Sequence, residues 1–143
     1  MSDLQKAKNT LATKELTLCV VKNGRIIFET RRHGVSGFLD AIEKSSRTLE
    51  ASSVADKVAG KAIALLCAYA KVNAIYADTM SSKAQTSLRQ YHVKYECQNL
   101  VEDILDEKRT EVCPFEKLAE KISDPTHAYE RLKTLQESFR NCK

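Results

Sequence analysis

The chain has 143 residues, of which 43% are hydrophobic and 29% charged, a composition typical of globular proteins and not of disordered ones. Its formal net charge of +4 falls short of the concentrated basic surface of a dedicated nucleic-acid binder. No apolar run approaches the roughly 20 residues that span a bilayer, and the polar residues after Met1 do not resemble a secretory signal. We therefore expect a cytoplasmic protein that does not act at a membrane, and the charge does not favour nucleic acid as its partner.

The first 30 residues are predicted to form a helix and then a β-hairpin. Apolar residues between Leu4 and Ala12 follow helical spacing. Two apolar runs, 16–21 and 25–30, flank the dipeptide Asn23-Gly24. Both residues tolerate positive φ, so this dipeptide between apolar runs predicts a tight hairpin turn.

The middle of the chain is predicted to be mainly helical. A helix carrying Phe38 is followed by a polar linker. Ser53 can cap a helix, and we predict a long helix from Val54 to about Lys71 that begins there. Nearly every residue in 62–70 is apolar, so this helix is expected to be buried on more than one face.

The remaining elements alternate between strands and helices. We predict strands at 74–77 and 93–97, a helix from Ser81 or Ser82 to Gln90, a short helix at 100–105, and helices that begin at Pro114 and Pro125. The order predicts an α/β fold, a three-layer α-β-α sandwich whose mixed sheet begins with the hairpin. We expect one domain, with a core of about 16–121 and a C-terminal helical extension of about 124–143.

Five cysteines are present, and no two of them have C-x-x-C spacing. An odd number without such spacing predicts free thiols in a cytosolic protein. Most of them should act as small buried apolar residues. The five are Cys19, Cys67, Cys97, Cys113 and Cys142.

The hairpin, the segment 53–62, and the strand and capped helix that follow together resemble the cytidine-deaminase-like fold. In that fold the buried helix begins with His-Ala-Glu or Cys-Ala-Glu, and the next helix begins with Pro-Cys-x-x-Cys. The matching positions here read Val54-Ala55-Asp56 and Ser81-Ser82-Lys83-Ala84-Gln85.

A closer resemblance is to a family within that fold called domain of unknown function 1893. The motifs that carry it are Val54-Ala-Asp-Lys-Val-Ala-Gly-Lys-Ala62, Tyr76-Ala-Asp78 and Cys113-Pro-Phe-Glu116, and the resemblance covers roughly 16–121. Members are similar in having an Asn-Arg-x-Gly-Thr loop, whereas this chain has Asp106-Glu-Lys-Arg-Thr110. That departure puts the role of the loop here in question.

Zinc-dependent deamination is not expected, because a catalytic zinc needs three protein ligands. At the positions that the resemblance implies for ligands the chain has Val54, Ser82 and Gln85. Valine has no lone pair to donate, and hydroxyl and amide groups are poor zinc ligands. We therefore predict no metal and no cofactor.

Four residues are candidates for binding a small molecule: Asp56, Lys57, Lys61 and Asp78. Asp56 has two interpretations, since Ser53-x-x-Asp56 also fits a capping box at the start of a helix. Lys57 and Lys61 are four residues apart, which would place them on one helix face as a solvated pair or as an anion site. Asp78 is predicted at the carboxyl end of a strand, where α/β sheets place their ligands, although a turn role is equally open.

Cys113 is the thiol most suited to chemistry. It precedes Pro114, with Glu116 three residues further on, so it is predicted at a helix N-cap, where a thiol pKa is lowered. In one interpretation Cys113 is a nucleophile or redox thiol. In the other, Pro114 and Glu116 only begin a helix and Cys113 packs inward.

The leading functional hypothesis is a zinc-free, deaminase-like domain that binds a small anionic or nucleotide-like metabolite, with Lys57 neutralising the anion and Asp56 accepting hydrogen bonds. The first alternative is a metal-independent enzyme that uses Cys113 with Glu116, Asp56 or Lys57. The second is an interaction or weak RNA-binding module. The apolar stripe of the last helix could pack on its own sheet or form a homodimer.

Overall fold

Five strands form one mixed sheet in the spatial order β2-β1-β3-β4-β5. The computed structural model describes residues 1–105 and 111–141, with side chains to residue 139. β1 pairs antiparallel with β2 and β3, whereas β3, β4 and β5 run parallel, so their carboxyl ends meet at one edge. The strands are β1 (Leu18–Lys22), β2 (Arg25–Thr30), β3 (Ser53–Ala59), β4 (Ala74–Ser81) and β5 (Lys94–Val101).

Helices cover both faces of the sheet. Along β1, Leu18 and Val20 face a large apolar cluster under α2, α3, α4 and α6, whereas Cys19 and Val21 face a smaller cluster under α1. The predicted α/β fold with a mixed sheet that begins in a hairpin is therefore confirmed. The helices are α1 (Asp3–Thr13), α2 (Gly34–Ser45), α3 (Lys61–Ala70), α4 (Ser82–Gln90), α5 (Pro114–Glu120) and α6 (Pro125–Asn141), with a short 3₁₀ helix (Ser46–Leu49) after α2.

The turn between β1 and β2 forms at the predicted dipeptide. Asn23 and Gly24 have φ values of 52° and 79°, the positive values that a two-residue hairpin turn requires. The backbone amides of both residues donate to the carboxylate of Asp3, each at 2.9 Å. The first residue of α1 therefore ties that helix to the tip of the hairpin.

The long helix predicted from Val54 to about Lys71 is wrong. Residues 53–59 form β3, Gly60 is the N-cap, and α3 begins only at Lys61. β3 lies between β1 and β4 and is covered on both faces, so Val54 and Ala55 are both buried although they point to opposite sides. A strand buried on both faces lacks the alternation of polar and apolar residues that identifies exposed strands.

Two further boundaries differ from the prediction. β4 continues to Ser81, three residues beyond Asp78. The helix predicted at 100–105 is absent from the described structure of that segment, because β5 continues to Val101 and Leu105 forms an isolated bridge with Val112. α5 and α6 do begin at the two prolines, as predicted.

The C-terminal helix α6 is part of the main core. Ala128 and Leu132 are fully buried, and the ring of Tyr129 stacks on Tyr69 of α3 with centroids 4.4 Å apart. Cys142 lies outside the described residues. Within the described ranges, no helix combines the length and the apolar composition of a bilayer-spanning segment.

Candidate functional site

A cleft of about 510 Å³ lies at the edge where the parallel strands end. Its walls include the first turns of α3 and α4, the end of β4 and one side of α5. Ligands of α/β proteins bind outside the carboxyl ends of such strands. We call this the carboxyl-edge cleft, and the side chains important to it are Lys61, Ser81, Lys83, Asp103, Glu116 and Lys117.

The carboxylate of Glu116 caps α3 from a distant part of the chain. The amide of Lys61 donates to Oε1 at 2.7 Å and the amide of Ala62 donates to Oε2 at 3.1 Å. A Cβ added to Gly60 would lie 2.4 Å from the carboxyl carbon, so glycine leaves the space that the carboxylate fills. Burial raises the pKa of Glu116, although the two amides act in the opposite direction.

Lysine side chains lie around this capping contact. The ammonium of Lys83 donates to Asp103 at 3.0 Å and lies 3.4 Å from the carboxylate of Glu120, and these hydrogen bonds raise its pKa. The ammonium of Lys61 donates to the backbone carbonyl of Glu120 at 3.1 Å. Ser81 is the N-cap of α4, with Oγ accepting from the amide of Ala84, so the positive end of that helix dipole lies at the same cleft.

A second cleft, of about 450 Å³, lies on the other side of the sheet beneath α1. We call it the α1 cleft, and Lys57 and Asp78 line it together with Tyr76 and Lys8. The hydroxyl of Tyr76 donates to Asp78 at 2.6 Å, and the ammonium of Lys8 lies 4.7 Å from the centre of the Tyr76 ring. Burial, followed by the hydrogen bond to Asp78, raises the pKa of Tyr76 above its usual value.

The four predicted ligand residues are divided between separate places. Lys61 lines the carboxyl-edge cleft, whereas Lys57 and Asp78 line the α1 cleft. Asp56 is only 3% exposed and lies inside β3, so its predicted capping box with Ser53 is wrong. The predicted shared helix face of Lys57 and Lys61 is wrong for the same reason, since one residue is in a strand and the other in α3.

Cys113 occupies the predicted position, as the N-cap residue of α5 directly before Pro114. It is half-buried, and its backbone amide donates to the carbonyl of Ile104 at 3.0 Å. Both carboxylate oxygens of its suggested partner Glu116 are engaged by α3. The nucleophilic role of Cys113 stays a prediction.

The positions compared with zinc ligands do not form one group. Val54 is buried within β3, whereas Ser82 and Gln85 lie in the first turns of α4. The residues that begin a helix after β3 are Lys61 and Ala62, so the comparison of Val54 with a helix start is wrong. Among residues 1–105 and 111–141, no three His, Cys, Asp or Glu side chains are grouped as a metal site.

Sequence reasoning missed two features of the carboxyl-edge cleft. The first feature is Lys83, which the sequence analysis places only at the start of a helix. A lysine that follows a serine cap directly after a buried strand does indicate a positive charge at this edge of the sheet. The second feature is the space above Gly60 that a carboxylate fills. The partner of Gly60, Glu116, is more than 50 residues away, so nothing in the local sequence indicates their contact. The loop at 106–110 lies outside the described residues.

The molecule is an α/β protein with one mixed sheet between two layers of helices. Its larger cleft lies at the carboxyl edge of that sheet. The model of the family "Domain of unknown function (DUF1893)" matches residues 6–135. The chain belongs to this family.

A solved structure agrees with this assignment. A DUF1893 family protein from Thermotoga maritima, TM1506, is 27% identical in sequence, with a TM-score of 0.85 over 92% of this chain and 88% of that chain. A diaminohydroxyphosphoribosylaminopyrimidine deaminase/5-amino-6-(5-phosphoribosylamino)uracil reductase from the same organism is 16% identical, with a TM-score of 0.46 over 80% of this chain and 39% of that chain. The TM-score of this second structure is too low to establish a shared fold. No curated protein matches the chain.

Proposed function

We propose that this protein binds a small anionic, nucleotide-like metabolite in the carboxyl-edge cleft. The observation that carries the proposal is that four lysines line this cleft, Lys61, Lys83, Lys117 and Lys121, together with the N-terminus of α4. The cleft volume of about 510 Å³ lies within the range of small-molecule sites, roughly 300–1,000 Å³. A cytoplasmic location is part of this proposal, and the free thiols of Cys19, Cys67, Cys97 and Cys113 fit it.

Three of the four acidic residues that line the cleft, Asp103, Glu116 and Glu120, already accept hydrogen bonds, and the fourth is Glu102. Glu116 is occupied by the amides of α3. Asp103 and Glu120 form ion pairs with Lys83 in which all side chains are well exposed, and exposed pairs of this kind contribute little to stability. A phosphate group can therefore replace these carboxylates around Lys83 and gain charge-assisted hydrogen bonds.

A panel of common ribonucleoside monophosphates and their uncharged nucleosides tests the proposal by thermal shift and native mass spectrometry. We expect at least one monophosphate to raise Tm and to form a 1:1 complex, with a clearly weaker effect of its nucleoside. Lys83→Gln should weaken the binding about tenfold, because it removes one charge-assisted contact.

Lys14→Gln is the matched control, since Lys14 also forms an exposed ion pair, with Glu29 at 3.1 Å, and does not line the cleft. This variant should bind the monophosphate as the unaltered protein does. The proposal fails when no monophosphate binds, or when Lys83→Gln and Lys14→Gln have equal affinity.

A further inference from the structure

The carboxyl group of Asp56 is buried without a compensating charge. Asp56 lies within β3 and is only 3% exposed. Oδ1 accepts one long hydrogen bond, 3.3 Å from the amide of Val58, and Oδ2 has no hydrogen-bond partner among the described residues. An ionised carboxylate in such a place lacks the solvation it has in water, so the neutral acid is strongly favoured.

Among the described residues, the elements around β3 place no counter-ion beside Asp56. On the neighbouring strands, Leu18 and Ala77 lie opposite Asp56. Beyond its burial, the negative charge of Asp78 in β4 also raises the pKa of Asp56, and burial followed by the charge of Asp56 raises the pKa of the Cys67 thiol in α3. The described faces of α1 and α2 that are buried towards the sheet are apolar, with Ala7 and Leu11 in α1 and Phe38 and Leu39 among the α2 residues.

We propose that Asp56 is a proton-binding site in the protein core, and that loss of this proton weakens the packing of α3 on β3. The bound proton keeps the group neutral beneath α3, where Cys67 is also fully buried. When the proton leaves to solvent, a negative charge remains between apolar layers. The fold then responds by opening towards water, because an unpaired buried charge is costly.

The sign of the pH dependence follows from the protonation states. Burial raises the pKa of Asp56 to about 8, against an ordinary value of 3.8, and the amides of Val58 and Lys57 only partly oppose this. Between about pH 4 and pH 8 the folded protein therefore retains a proton that the unfolded chain has lost. Stability falls as pH rises through this window, by up to about tenfold in the folding equilibrium constant per pH unit.

The test compares the unaltered protein with Asp56→Asn by chemical denaturation between pH 4 and pH 9. Asparagine has nearly the same shape and does not titrate, so the stability of the variant relative to the unaltered protein should increase steadily up to about pH 8 and then level off. Asp103→Asn is the matched control, because Asp103 is exposed and its ion pair with Lys83 is at the surface. Parallel pH curves for the unaltered protein and Asp56→Asn would overturn the proposal.

Infrared spectroscopy provides a readout that does not depend on stability. At pH 7 exposed carboxyl groups are ionised, so a carbonyl stretching band of a protonated carboxylic acid reports a buried acid. This band should be weaker in Asp56→Asn than in the unaltered protein and unchanged in Asp103→Asn. If the variant does not fold, the band of the unaltered protein should still disappear between pH 7 and pH 10, and its absence at pH 7 would contradict the proposal.

Discussion

The contact between Glu116 and Gly60 explains why two separate motifs belong to one structural unit. Glu116 comes from the Cys113–Glu116 motif, and Gly60 precedes the helix that the carboxylate caps. The amides at the start of a helix have no partner within it, so a carboxylate from elsewhere can satisfy them. The carboxylate occupies the space above Gly60, where any larger residue would displace it.

A double-mutant cycle with Gly60→Ala and Glu116→Ala tests this interpretation. The φ of Gly60 is −102°, which alanine adopts without strain, so Gly60→Ala should destabilise mainly by pushing the carboxylate away from α3. We expect each single substitution to cost about 1–3 kcal/mol. The double variant should lose less than the sum by about 1 kcal/mol or more, and strict additivity in denaturant unfolding would contradict the interpretation.

The elements that could be predicted from the sequence are those whose signals are local. The Asn23-Gly24 turn and the helix starts at Pro114 and Pro125 each depend on the conformational limits of one or two residues, and all three are confirmed. β3 could not be recognised in this way. Val54, Ala55, Val58 and Ala59 have helical spacing, and only burial between two other strands makes this segment extended.

The candidate site could be predicted only in part, for the same physical reason. Lys61 was named, and it lines the carboxyl-edge cleft. The prediction placed Lys57 beside Lys61 because it assumed that both belong to one helix. Lys57 is instead in β3, where successive side chains point to opposite faces of the sheet. Lys57 therefore lines the α1 cleft on the opposite side of the sheet.

The role of α6 in the core leads to a prediction at the level of this helix. Leu132 is fully buried and Leu135 only partly, so the two give matched Leu→Ala substitutions on one helix. Leu132→Ala should reduce the free energy of unfolding by about 2–5 kcal/mol, and Leu135→Ala by less than half of that. Equal, small losses in denaturant unfolding would show that α6 is not part of the cooperative core.

At the scale of the whole molecule, the sheet separates two polar clefts with different chemistry. The carboxyl-edge cleft has lysines and the N-terminus of α4, whereas the α1 cleft has the hydrogen-bonded pair of Tyr76 and Asp78. Between them Asp56 is buried in β3. Both clefts have lysines, and the proposal places the anion at the carboxyl edge because the N-terminus of α4 adds a positive helix dipole there.

The most direct test of this account is an NMR titration of ¹⁵N-labelled protein with adenosine monophosphate, with chemical-shift changes followed for each backbone amide. We expect the largest changes at the amides of Lys61, Ser82 and Lys83, at the starts of α3 and α4. Changes centred on Lys57 and Asp78 instead, or no saturable change at millimolar nucleotide, would contradict it.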